Sequence, residues 1–152
     1  MKKEEILNAF KMLGFVMEEV EQYGYRFCYE GYDYLYMPKD DDENYMCIAM
    51  PAIMEVEEGI ADICCRLMDK LNSALKYTKV NSIGDDVWLF YERELLGDED
   101  WEKLLPSMIL RLEYAKDYMG KIASDDKNND DDSVEDESDT VDPEEVIDSV
   151  ES

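Results

Sequence analysis

Residues 23–37 read YGYRFCYEGYDYLYM. The stretch holds Tyr23, Tyr25, Tyr29, Tyr32, Tyr34 and Tyr36 out of eleven tyrosines in the chain, with Phe27 in step. Side chains two residues apart share one face of a strand, so the alternation over Tyr25, Phe27 and Tyr29, then Tyr32, Tyr34 and Tyr36, predicts two strands. Glu30-Gly31 sits between them as a turn. A two-residue loop pairs Tyr29 with Tyr32, Phe27 with Tyr34 and Tyr25 with Tyr36 on one face, each pair contributing about 0.2–1 kcal/mol. Glutamate fits poorly in a turn that needs positive φ, so a longer loop with another register is the alternative. The aromatic row could serve as a base-stacking platform, a ligand site or a sheet face for a partner. It could equally be covered by the chain's own helices.

Upstream, Ile6, Phe10 and Leu13 lie on one face of a helix expected over residues 3–13, and Gly14 stands where a left-handed cap is common. Downstream, Pro38 and KDDDEN make a turn into a third strand, Tyr45–Ala52. Val56, Ile60, Ile63, Leu67, Leu71 and Leu75 form a buried stripe on a second helix over 55–76, and Cys64 joins it. Two strands follow near 77–83 and 87–95, turned by Gly84-Asp85-Asp86. A third helix over 99–122 carries Trp101, Leu105, Met108, Leu112, Ala115, Met119 and Ile122 at heptad spacing. That seam either docks on the chain's own sheet or meets another chain. Pro106 lies on it, so the helix either kinks or restarts there.

The chain has 152 residues, 45% of them apolar, and 40 acids against 15 bases, a net charge of −25. Such a surface repels phosphate, which argues against nucleic acid and anionic membrane as partners. No stretch approaches the roughly 18 uninterrupted apolar residues of a membrane span. MKKEEILNAF lacks a signal-peptide core, so the expected address is cytoplasmic. With no histidine, His-based triads and the common His metal sites are excluded. No Gly-rich phosphate loop is present. Cys28, Cys47, Cys64 and Cys65 lack the spacing of a disulfide framework or a zinc site, and read as reduced core thiols. No catalytic spacing and no cofactor motif emerges, so the expectation is a non-enzyme.

Residues 123–152 hold fourteen acids, one lysine and no aromatic residue, and read as an acidic, disordered tail behind a domain over 1–122. Asp126, Asn128, Asp130, Asp132 and Glu137 match an EF-hand spacing, but Asp131 stands where that loop needs glycine. VDPEEVIDSV at 141–150 could start a short helix, with Asp142 as cap and Pro143 in the first turn. Val146, Ile147 and Val150 would share its face.

The order helix, three strands, helix, two strands, helix predicts an α+β fold with an antiparallel sheet packed against helices. Four stretches carry a likeness to a known family. They are LGF ahead of YRFCYEGYDYLYMP, then YMCIAMPAI, then LNSALKYTKVNSIGDDVWLFYERELL, then WEKLLPSMILRLEYAKDYM. In pattern and order they resemble the type III secretion chaperone-like fold, and more closely the YbjN-type family of bacterial sensory transduction regulators. The resemblance implies a small bacterial non-enzymatic protein that binds a protein partner or client segment, often as a homodimer. It supplies no catalytic residues. The residues expected to meet a partner are Tyr25, Phe27, Tyr29, Tyr32, Tyr34 and Tyr36. The other class considered is a small enzyme or a metal-binding sensor that uses the acidic tail.

Overall fold

The computed structural model describes residues 2–132, with side chains through Ser124. Three helices and six strands follow in the order α1 (Lys2–Met12), β1 (Glu18–Val20), β2 (Gly24–Tyr29), β3 (Tyr32–Tyr36), β4 (Tyr45–Glu55), α2 (Ala61–Ala74), β5 (Thr78–Ile83), β6 (Asp86–Glu94) and α3 (Trp101–Asp132). The strands form one open antiparallel sheet in the order β1-β2-β3-β4-β6-β5. The α+β class and three helices match expectation. The sheet has six strands where the sequence pattern predicts five. The additional one, β1, is the three-residue EEV, too short and too polar to show alternation.

The hairpin β2–β3 has the short-loop register: Tyr25 opposite Tyr36, Phe27 opposite Tyr34 and Tyr29 opposite Tyr32. Glu30 takes φ 52° and Gly31 φ 86°, the mirror-image turn that a two-residue hairpin loop favours. Glutamate therefore sits in the left-handed region at a local cost. At the start of β2, Gly24 has φ 127°, and a Cβ there would collide with the Tyr36 carbonyl oxygen. Only glycine lets the two backbones approach so closely.

β4 is longer than expected. Its pairing with β6 runs from Tyr45 opposite Glu94 to Met50 opposite Leu89, slips, and resumes at Met54 opposite Val87. Pro51, which has no N–H to give, and Ala52, at φ 49°, occupy the slip. The extension delays α2 until Ala61, so Ile60 and Ile63, expected in the buried stripe, are exposed. Cys64, Leu67, Leu71 and Leu75 are buried as expected.

All three helices contribute to one core on one face of the sheet. Ile6 and Phe10 come from α1, Leu67 and Leu71 from α2, and Leu105, Met108, Leu112 and Ala115 from α3. They meet Met46, Ile48 and Met50 of β4, and Leu89 and Tyr91 of β6. The heptad seam of α3 is thus docked on the chain's own sheet. Burial of each large apolar side chain of this kind is worth about 1.5–3 kcal/mol. Pro106 stays inside α3, which continues to Asp132, ten residues past the expected end. Two side-chain clamps complete the frame. The Asn72 amide of α2 accepts from the Val80 N–H at 2.7 Å and donates to the Val80 carbonyl at 3.0 Å. Glu99 accepts from the Leu96 N–H at 2.6 Å and the Gly97 N–H at 3.0 Å, and lies 3.3 Å from Arg93 Nη2, which ties the β6–α3 loop together.

Among the described residues no helix is long and apolar enough to cross a membrane, and no group of three or more Cys, Asp or Glu is placed to hold a metal ion. The EF-hand-like spacing ending at Glu137 and the 141–150 segment lie outside the residues whose side chains are described.

Candidate functional site

The tyrosine row faces the helices. Phe10 of α1 lies 4.9 Å from the Phe27 ring and 5.6 Å from the Tyr36 ring, centroid to centroid. Phe27 and Tyr34 stack at 5.3 Å across the hairpin, and Tyr25 and Tyr36 at 6.1 Å. Phe27, Tyr34 and Tyr36 are buried, each 1% exposed or less. These three are core residues with no accessible surface for a partner, since an aromatic row beside two amphipathic helices buries most area by accepting them. Tyr25, Tyr29 and Tyr32 keep partial exposure at the rim, where Lys3 lies 5.9 Å from the Tyr25 ring and Lys116 4.6 Å from the Tyr32 ring. Burial pushes the hydroxyls of Tyr34 and Tyr36 far above the ordinary tyrosine range. The Tyr34 hydroxyl has no hydrogen-bond partner among the described residues.

Among the described residues the opposite face of the sheet carries no helix. Leu35 of β3, Cys47 and Ala49 of β4, and Trp88 and Phe90 of β6 form a second, smaller cluster there, with Val20, Met37 and Tyr45 packed against it. This cluster accounts for the apolar residues on both sides of β4 and β6. Trp88 and Phe90 stack at 5.9 Å, and Tyr23, in the β1–β2 turn, leans on Trp88 at 5.8 Å. Charged side chains stand around the cluster, and the two-residue alternation of β6 puts Asp86 and Glu94 on this face with Trp88, Phe90 and Glu92. Glu18 and Arg26 pair at 3.8 Å, Lys79 and Glu92 at 2.7 Å, Lys39 lies 4.9 Å from the Tyr45 ring, and Asp33 accepts from Cys28. Tyr45 donates its hydroxyl hydrogen to Glu92. Burial raises the Glu92 pKa and the bonds from Lys79 and Tyr45 lower it; the net shift is downward, so the carboxylate stays charged.

The four thiols are free and divide by place. Cys47 and Cys64 are buried, and burial pushes Cys47 up to about 11. Cys28 and Cys65 are exposed, where the sequence suggested core positions. The expected alternation places Cys28 on the helix-free face, beside Asp33, whose hydrogen bond raises the thiol pKa further.

No family model matches the chain, and no curated protein matches it. Among solved structures, YbjN from E. coli, a proposed transcription regulator, superposes with a TM-score of 0.61. The alignment covers 82% of this chain and 93% of that one, at 11% identity. The chain has a YbjN-like fold. At that identity the likeness is one of architecture.

Proposed function

We propose that the chain is a non-enzymatic, chaperone-like regulatory module that works in the bacterial cytoplasm by binding protein, and that its first partner is a second copy of itself. The observation that carries this reading is the helix-free sheet face. Its apolar centre is itself largely buried, each residue 8% exposed or less, with partly exposed apolar residues at Val20, Tyr23 and Met37 beside it, and its rim sets the bases Arg26, Lys39 and Lys79 among the acids Glu18, Asp33, Asp86, Glu92 and Glu94. On a chain of net −25, two copies repel over most of their surface. They can approach most easily where bases are gathered among the acids. The regulatory description of the E. coli neighbour fits a role exercised through protein contacts, since the acidic surface disfavours DNA. Of the tyrosine row only Tyr25, Tyr29 and Tyr32 keep partial exposure, and they lie on the helix-covered side, away from this surface.

Light scattering tests the reading. The native chain should weigh near twice 17.8 kDa. Tyr23→Glu with Met37→Glu should return it to one copy with an unchanged circular dichroism spectrum. A native chain that stays monomeric at high concentration, or a dimer that ignores both substitutions, would refute it.

A further inference from the structure

A groove of about 530 Å³ runs between the first turns of α3 and the link from α2 to β5. Its apolar walls are Leu75, Pro106, Leu110 and Tyr114, and Leu110 is 57% exposed. Three bases line it, Lys76, Lys103 and Arg111, against one acid, Glu102. That ratio inverts the chain's 40 acids to 15 bases. Arg111 also lies 4.5 Å over the exposed ring of Tyr77. Pro106, Leu110, Tyr114 and Tyr118 recur at four-residue spacing, a second apolar stripe on α3 apart from the buried seam, and Tyr114 stacks on Tyr118 at 6.2 Å. The stripe leads from the groove toward the C-terminal end of the helix.

The chain itself supplies a segment of matching chemistry. Residues 142–150, DPEEVIDSV, carry four acids and no base, with Val146, Ile147 and Val150 spaced to share a helical face. Reach permits the contact. From Leu110 to the end of α3 at Asp132 the helix rises roughly 33 Å at 1.5 Å per residue. Residues 133–145 span up to about 43 Å when extended. We propose that residues 142–150 dock in this groove in cis, their apolar residues against Leu110 and Tyr114 and their carboxylates toward Lys103 and Arg111. A tethered segment is held near millimolar effective concentration, so an affinity of that order suffices for substantial occupancy. Docking of this kind makes the groove a site that a competing acidic-apolar peptide opens by displacing the tail. The groove lies apart from the helix-free face, so the two proposals fail separately.

The test compares amide NMR spectra of the full-length native chain with full-length Ile147→Asp and Lys103→Glu. Ile147→Asp should shift the amides of Ser107, Leu110, Arg111 and Tyr114 while leaving those of Tyr34 and Ile48 in place. Lys103→Glu and high salt should move the tail amides in the same sense, because both weaken the ionic part. Cleavage by a glutamate-specific protease after Glu144 and Glu145 should quicken several-fold in Ile147→Asp. Groove amides that ignore Ile147→Asp would overturn the proposal. Groove shifts that grow with protein concentration would mean a second copy's tail, and would overturn docking in cis.

Discussion

Tyr34→Phe isolates the cost of one atom. The Tyr34 side chain is 0% exposed, stacked on Phe27, and its hydroxyl has no partner among the described residues. A buried hydroxyl left unsatisfied costs about 1–3 kcal/mol. Phenylalanine removes that penalty and keeps the ring. Against it stands a small loss of packing where the oxygen was, of order 0.5 kcal/mol for the few dispersion contacts of one atom. The expected net is a gain of about 1 kcal/mol, which raises Tm by a few degrees in a domain of this size. Urea unfolding followed by the fluorescence of Trp88 and Trp101 reads it directly, with the m-value unchanged. A loss of 1 kcal/mol or more would refute the reasoning, because it would mean that the hydroxyl is bonded in solution. Tyr34→Glu on the same site should unfold the domain, since it places a charge in that core.

Three further outcomes follow from the backbone and the carboxylates. Gly24→Ala should cost more than about 2 kcal/mol in the same assay, through positive φ and collision with the Tyr36 carbonyl; a loss under 1 kcal/mol would show that the hairpin shifts freely. Glu30→Asn should stabilise by about 1 kcal/mol, because asparagine tolerates the left-handed turn. It should also flatten one pH response. The Glu113 pKa is raised by burial and then by Glu30, so the native chain gains stability on acidification and loses it as pH rises through that shifted value. Glu30→Asn should shrink that slope. Glu99 behaves oppositely. Burial raises its pKa, but the Leu96 and Gly97 N–H groups and Arg93 outweigh this and lower it. Its stabilisation is therefore present above the ordinary carboxylate pKa and lost as pH falls through the lowered one. Glu99→Gln should remove this acid-sensitive component, and an unchanged stability profile between pH 3 and 6 would count against it.

Much of the architecture was legible because it rests on local periodicity. The hairpin register followed from a strict two-residue alternation with a two-residue gap, and the α3 seam from spacings of three and four. What was hidden depended on tertiary choices. Alternation places Tyr34 and Leu35 on opposite faces, but only the docking of α1 and α3 decides which face closes. The partner row read from Tyr25 to Tyr36 was therefore placed on the right strands and given the wrong exposure at Phe27, Tyr34 and Tyr36. Ile60 and Ile63 continue the α2 period on paper, yet Gly59 at φ 91° and the extended β4 keep the first of them outside the helix. The stripe from Pro106 to Tyr118, exposed at Leu110 and Tyr114, was present in the sequence and was masked by the stronger seam beside it. Glu99 carried no pattern, because its partners are backbone groups two and three residues away.

The Asn72 clamp has a consequence for how the protein meets its surroundings. β5 is an outer strand, and its outward N–H and carbonyl at Val80 are the groups another chain would use to add itself to the sheet. The Asn72 amide occupies both, with the geometry of a neighbouring strand. At the other margin, β1 offers only three residues, two of them glutamates. Strand addition is thus hindered at one end of the sheet and discouraged at the other. Backbone pairing, the usual hazard of an open sheet, is hindered at the middle of β5 by a single amide side chain. Any lasting association must be built from side chains, and so is open to sequence-specific choice.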